Sequence, residues 1–233
     1  MEILQVIIIA IINYDGSLDT TFNINSSATP GSLISIELQT DNKIIASFFN
    51  TSLWGGNAWG YIKRFNQDGT LDNTFLANNS AFVSTTGGAY SRAYIYDIKQ
   101  LSNNQILVAV NFVSIFGQAF GGIARLNSNG TVVTNFVGSG MTIPTATYIG
   151  SYCIFSIDVQ TDNKIIIGGN FDIINSTNRK CIARLQPNGS LDTTFNPGSG
   201  TNLINFAGRE VIKFLKISQD NSVLICGTFD SYN

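Results

Sequence analysis

The side chains with the most chemical capacity in this chain are carboxylates and guanidinium groups that recur at fixed places: Asp19, Asp72 and Asp192, and Arg64, Arg125 and Arg184. Two carboxylates facing each other across a pocket, about 5 to 10 Å apart, carry out glycoside hydrolysis. Carboxylates at equivalent positions of a repeat more simply hold the same turn in every copy. The arginines have three uses open to them: pairing with the nearby Asp, stacking on Phe75, Phe136 and Phe195, or forming an anion-binding ring on an axis. Histidine is absent, which removes Ser-His and Cys-His nucleophile activation and His-ligated metal sites. Asn66, Asp68 and Asp72 cluster calcium-type oxygens beside Gly69, yet the corresponding stretch from Asn127 through Asn129 and Gly130 ends at Val133 and no bidentate Glu follows. Turn chemistry accounts for these residues, so no metal or other cofactor is expected. Cys153, Cys181 and Cys226 show no metal spacing and are expected as buried free thiols.

A second set of residues suits recognition rather than reaction. Trp54, Trp59, Phe116, Phe120 and Arg179 lie in connecting segments rich in Gly and Asn, and Trp59, Phe120 and Arg179 are equivalent when counted back from the repeated Arg. Aromatic rings in such loops stack on sugars or pack on a protein partner. The competing expectation is that both Trp residues fold back onto the sheet edge. Net charge of -2 and an isoelectric point near 5.0 leave no basic footprint for nucleic acid. The apolar start, Ile3 to Ile12, is too short to insert in a membrane, lacks the basic flank and cleavage site of a signal peptide, and reads as a buried strand.

The elements that position these residues are repeats. Asp15 to Phe22 reads DGSLDTTF and Asn188 to Phe195 reads NGSLDTTF, with weaker copies at Asp68 to Phe75 and Asn129 to Phe136. Gly16, Gly69, Gly130 and Gly189 recur every 53 to 61 residues. In phase with them run Leu38 to Ile45 and Val159 to Ile166, with degraded forms at Gln100 to Leu107 and Ile217 to Leu224, and the third motif Ile62 to Asn66, Ile123 to Asn127 and Ile182 to Gln186. Alternating apolar segments meet an Asp-Asn turn and enter a second apolar run, which is a β-hairpin. The third motif is a further strand closed by a Gly turn, and no helical period is evident. Three or four short antiparallel strands per 55 to 60 residues make an all-β propeller blade. Ser47, Ala109, Gly168 and Cys226 keep one place in the second strand small, where blades approach closely.

The phrases from Asn188 to Gly200, Gln160 to Phe171 and Cys181 to Gly189 resemble the delta-60 repeat, a bacterial β-propeller repeat of unknown function. The third copy departs from it, with Val132-Val133 for Leu-Asp, as does Ile11, which replaces the Arg. The chain is expected as one repeat domain, residues 1–233: an end of a blade at 1–22, units at 34–75, 95–136 and 154–195, and a start of a blade at 212–233. Four blade equivalents form a closed ring or an arc of a larger propeller, completed by additional blades or subunits. The resemblance supplies no catalytic residue. It implies a secreted or surface location on a bacterium, or a virion. The function expected is a non-catalytic module for binding or adhesion, with a carbohydrate or protein ligand. A phage structural or tail component and a polysaccharide-acting glycosidase or lyase are the alternatives.

Overall fold

Every unit begins with the same hairpin, because an Asn accepts the left-handed backbone that a tight turn requires. Asn42, Asn104, Asn163 and Asn221 all have φ between 62° and 64°, and each turn closes by the same pair of backbone bonds, as in Gln39 N to Lys43 O (2.8 Å) and Asn42 N to Gln39 O (2.9 Å). The computed structural model describes residues 9–24, 31–51, 58–79, 81–82, 94–110, 114–115, 118–119, 122–136, 153–202 and 211–232.

The first sheet runs β1 (Ser32–Leu38), β2 (Ile44–Thr51), β3 (Ala58–Phe65) and β4 (Ala81–Phe82), all antiparallel and in that order. The second unit contains β5 (Ile95–Gln100), β6 (Ile106–Val110), a small hairpin β7 (Ser114–Ile115) and β8 (Gln118–Ala119), and β9 (Ile123–Leu126). Its sheet order is β5-β6-β9. The third repeats this as β10 (Cys153–Val159), β11 (Ile165–Asn170), the hairpin β12 (Ile173–Ile174) and β13 (Thr177–Asn178), and β14 (Ile182–Leu185). Then β15 (Thr201–Asn202) precedes the last hairpin, β16 (Val211–Ile217) and β17 (Val223–Thr228), and pairs with β18 (Ser231–Tyr232). All four first strands carry a register shift at the same place, between Leu33 and Ser35, Ile95 and Asp97, Ile154 and Ser156, and Ile212 and Phe214. Nothing in the sequence reading anticipated that bulge.

The core lies between sheets. Ile45, Ile62 and Phe75 of the first unit pack on Ile95, Ile98 and Val108 of the second. Leu107, Ala109 and Phe136 meet Ile154 and Ile157 of the third, and Ile166 and Ile182 meet Ile212 and Leu215 of the last hairpin. Close approach explains the small residues of the second strand: a Cβ on Gly168 would lie 2.6 Å from Ile212 Cγ2, and Ser47 Oγ donates to Ile95 O at 3.1 Å. Successive sheets therefore stack face to face, and β1, β5, β10 and β16 line one shared cavity. This is propeller geometry.

Among the described residues the sheets do not close into a ring. Ile36 in β1 is 52% exposed, while its counterparts Ile98, Ile157 and Leu215 are buried against the preceding sheet. Leu224 in β17 is 73% exposed, while Ile45, Leu107 and Ile166 at that place are fully buried against the following one. The unclosed sheets are compatible with the arc alternative rather than with the closed four-blade ring. Cys226 shares this exposed face, so the expectation of three buried thiols holds only for Cys153 and Cys181. The apolar start also needs correction: residues 1–8 lie outside the described residues, Ile9 packs beside Phe48 and Phe65, but Ile12 is exposed because no second strand pairs with it.

Repeat positions provide their own control. Ile157→Ala is expected to lower the unfolding free energy by about 3 kcal/mol, the usual cost of a truncated core residue, whereas Ile36→Ala in dilute solution should cost less than about 1 kcal/mol. Urea titration of both variants measures the difference, and equal losses would mean that Ile36 is covered in solution.

Candidate functional site

The recurring Asp and Arg meet where the third strand turns back. Asp72 Oδ2 accepts from Arg64 Nε and Lys43 Nζ, both at 2.8 Å, and its Oδ1 accepts from Thr74 N at 3.0 Å and Thr74 Oγ1 at 2.6 Å. Asp192 repeats this with Arg184 Nε at 2.8 Å, Lys164 Nζ at 3.3 Å, and Thr194 N and Oγ1 at 3.0 and 2.6 Å. Burial alone would raise both carboxyl pKa values. The lysine, threonine and arginine contacts outweigh it and hold both well below the usual carboxylate range. Each guanidinium also lies over the Phe that ends its unit, 4.6 Å from the Phe75 centroid, 4.6 Å from Phe136 and 5.1 Å from Phe195. Two of the three uses open to the arginines are thus realised together. Arg64 Nη1 and Arg125 Nη2 then reach the turn of the next unit, donating to Ser128 O and Pro187 O.

The middle unit departs from this pattern in a compensated way. Val133 stands where Asp72 and Asp192 stand, and Gln105 where Lys43 and Lys164 stand, so one anion and one cation are lost together. Arg125 Nε is left buried without a hydrogen-bond partner, and burial lowers its pKa. Of the calcium-type oxygens, Asp68 Oδ1 accepts from Thr70 N and Oγ1 within its own turn and Asp72 is engaged by Arg64, Lys43 and Thr74, while Asn66 donates its Nδ2 to Thr70 Oγ1.

Charged groups also line the axis. Glu37, Lys99, Asp158 and Lys216 occupy equivalent positions of β1, β5, β10 and β16 with alternating sign, around a cavity of about 180 Å³. Lys99 Nζ lies 3.6 Å from Glu37 and 3.8 Å from Asp158, and Lys216 Nζ lies 3.0 Å from Asp158. The carboxylates also accept backbone bonds from the next sheet: Gln100 N to Glu37 (3.0 Å), Ile157 N to Asp97 (2.9 Å) and Ile217 N to Asp158 (3.0 Å). Burial raises the pKa of Asp97, and the Glu37 charge adds to it. Asp158 shifts the other way: burial opposes its ionisation, but Ile217 N and Lys216 prevail.

A larger cavity, about 410 Å³, opens between the first and second units. Gln39, Thr40, Gln100, Asn104, Ser128 and Asn129 supply amide and hydroxyl groups to its wall, with the Asp41 carboxylate and the Arg64 and Thr74 of the Asp72 cluster beside them. Gln39 is 4% exposed and its Oε1 has no hydrogen-bond partner. A buried carbonyl oxygen in that state costs free energy until a donor reaches it.

Residues 39–75, 101–136 and 160–195 each match the family described as domain of unknown function (DUF5122) beta-propeller. These three units belong to that family, the delta-60 repeats. No curated protein matches the chain.

Each delta-60 match runs from the hairpin turn to the Phe under the guanidinium, so the family pattern covers the Arg cluster and the loops between second and third strands, and leaves out the segments that join one unit to the next. Among the loop residues, Trp54, Phe116 and Phe120 lie outside the described residues, and Trp59 is placed by its backbone in β3, opposite Asn50. Arg179 sits just after β13; its N donates to Asp172 O and its Nη1 to Asn178 O, both at 2.8 Å, and its Nε is buried without a partner. It does not line the inter-unit cavity. Sequence reasoning missed Gln39, Gln100 and the axial charges. The available signal was the contrast between Gln39 and Leu101 at one repeat position, and the polar residue at the centre of each alternating first strand.

The depressed pKa values set a pH dependence. Asp72 and Asp192 titrate lower in the folded chain than in the unfolded chain, near about 3.9, so their contribution is complete above that value and is lost as pH falls through the folded values. Asp192→Asn is expected to lower the melting temperature at pH 7 and to flatten the loss of stability below about pH 4; thermal melts from neutral to acid pH test this, and an unchanged acid slope would contradict it. Restoring the missing partner with Val133→Asp should stabilise the chain by on the order of 1 kcal/mol at pH 7, measured by urea titration, and a destabilised variant would count against the role given to Arg125 Nε.

Proposed function

We propose that this delta-60 array is a non-catalytic binding module, serving attachment at a bacterial surface or within a larger extracellular assembly, and that its cavity between the first and second units takes a neutral, hydroxyl-rich ligand of the carbohydrate class. The buried, unpartnered Gln39 Oε1 beside that cavity carries the reading. An acceptor in this state calls for a hydroxyl donor. The surrounding amides of Gln100, Asn104 and Asn129 and the hydroxyls of Thr40 and Ser128 supply uncharged polar groups, part of whose capacity is used within the wall, as in Gln100 Nε2 to Asn104 Oδ1, and Asp41 and Arg64 add one charge of each sign. The size falls in the range of small-molecule sites, about 300 to 1,000 Å³. Arg64 is committed to Asp72, Thr74 and Ser128 O, which favours a neutral ligand over an anion. A non-enzymatic role is supported by the structural commitments of the repeated carboxylates: each of Asp72 and Asp192 holds an Arg, a Lys and a Thr.

Leu101 occupies the position of Gln39 in the next unit, so Gln39→Leu is a substitution that the repeat already tolerates. The wild-type chain is expected to be retained on at least one column of an immobilised panel of neutral oligosaccharides, and Gln39→Leu to lose that retention with an unchanged melting temperature. Retention unaffected by Gln39→Leu, or no retention by the panel, would contradict the reading; release of reducing ends from the panel would favour a glycosidase instead.

A further inference from the structure

Two half-units of this chain carry complementary pieces. Residues 9–22 contain a third-strand motif, a Gly turn and the closing Phe22, whereas β16 and β17 supply a first and second strand. In the three complete units the second and third strands pair in one register: Ser47 opposite Ile62, Ala109 opposite Ile123 and Gly168 opposite Ile182. The same register sets Cys226 opposite Ile9 and Val223 opposite Ile12. Among the described residues no strand pairing joins the two halves.

Both halves expose positions that the complete units bury: Leu224 and Cys226 on the last hairpin and Ile12 on the first segment. Phe214 and Leu18 are exposed apolar side chains beside them. The Arg reach points the same way. Arg64 and Arg125 each donate to the turn carbonyl of the following unit, at Ser128 and Pro187, but Arg184 Nη1 has only a 3.4 Å contact with Gln160 of its own unit. The residue of the first segment that corresponds to Ser128 and Pro187 is Tyr14. Glycine packing agrees: a Cβ on Gly69 would strike the Asn23 backbone at 2.6 Å and one on Gly130 would strike Ala77 N at 2.8 Å, whereas one on Gly16 would meet nothing within 4 Å.

We propose that the β16–β17 hairpin is an interaction surface for a second copy of this chain. Residues 9–22 of the second copy pair along the free edge of β17, Tyr14 O of that copy receives Arg184, and the exposed Ile36 and Leu38 of its β1 cover Leu224 and Phe214. A second copy fits because its residues 9–22 carry the third-strand motif, Gly turn and Phe in the register that β17 would accept, while within one chain each half is anchored at its own end of the arc. Ile9 and Ile24 pack beside Phe48 and Phe65 of the first sheet, and Asn23 N donates to Asp68 O, while β16 packs on the third unit. A contact between two different faces of identical chains is heterologous, so it propagates or closes into a larger ring.

Ile9→Cys tests this with the native thiol of Cys226, the other two cysteines being buried. On oxidation, Ile9→Cys should yield disulfide-linked dimers and larger species on a non-reducing gel, and neither the wild-type chain nor Ile9→Cys combined with Cys226→Ser should do so. A disulfide formed within one chain, seen as thiol loss at monomer mass, would overturn the proposal in favour of a ring closed by a single copy; no disulfide at all would overturn it outright. Sedimentation supplies an independent arm at surface positions. Leu224→Asp and Ile36→Asp should each be monomeric, and their equimolar mixture should form a dimer through the one intact pair of faces. A mixture that stays monomeric would contradict head-to-tail association.

Discussion

The inner strand of each sheet has only one strand partner, so the N–H groups of its other edge must be met from outside the sheet. An unpaired strand edge invites uncontrolled association, and a buried unpaired amide costs free energy. This chain meets the requirement with side chains of the preceding unit. Glu37 receives Gln100 N, Asp97 receives Ile157 N, and Ser156 and Asp158 receive Leu215 N and Ile217 N. The rest of the architecture depends on that arrangement. It sets the phase between sheets, brings the small residues Ala109 and Gly168 against the next inner strand, and places Arg64 and Arg125 within reach of the next Gly turn. Stability in such an array is a sum of nearest-neighbour terms.

The same dependence shapes what is left for function. Charges that would attract notice as catalytic groups are committed to holding one unit on the next, and Lys99 balances Glu37 and Asp158 across the axis. The places where a unit departs from its siblings carry fewer such commitments. One repeat position shows this: Gln39 and Gln160 are polar where Leu101 of the middle unit is apolar and buried, and the polar cavity lies at the junction where Gln39 faces the unit that carries Leu101. Val133 shows the opposite departure, in which a polar cluster lost a carboxylate and a lysine together and kept its Arg over Phe136.

Much of the fold was legible because tight turns constrain residue type strongly. Asn at φ near 63° and Gly at φ between 86° and 91° have few substitutes, so the hairpins and third-strand turns stand out as sequence phrases. The stacking of Arg on Phe and its pairing with Asp followed from their fixed spacing. The open arc was not legible, since Ile36 and Ile157 look alike in sequence and differ only in whether a sheet covers them. The axial charges escaped for a related reason: the polar residue of an alternating strand normally faces solvent, but here its role is set by the free edge of the neighbouring strand. The cavity depended on three-dimensional juxtaposition of residues about 60 positions apart, Thr40 and Gln100 among them, joined by a 2.9 Å bond.

Amide hydrogen exchange tests the central claim most directly, because it reads the edge N–H groups one at a time. The account predicts strong protection at Gln100, Ile157, Leu215 and Ile217, whose amides are held by the preceding unit, and faster exchange in dilute solution at Ile36 and Leu38, the equivalent positions of the exposed first strand. Equal exchange at the two sets would contradict it, and would mean that the sheets keep their phase without the side-chain acceptors.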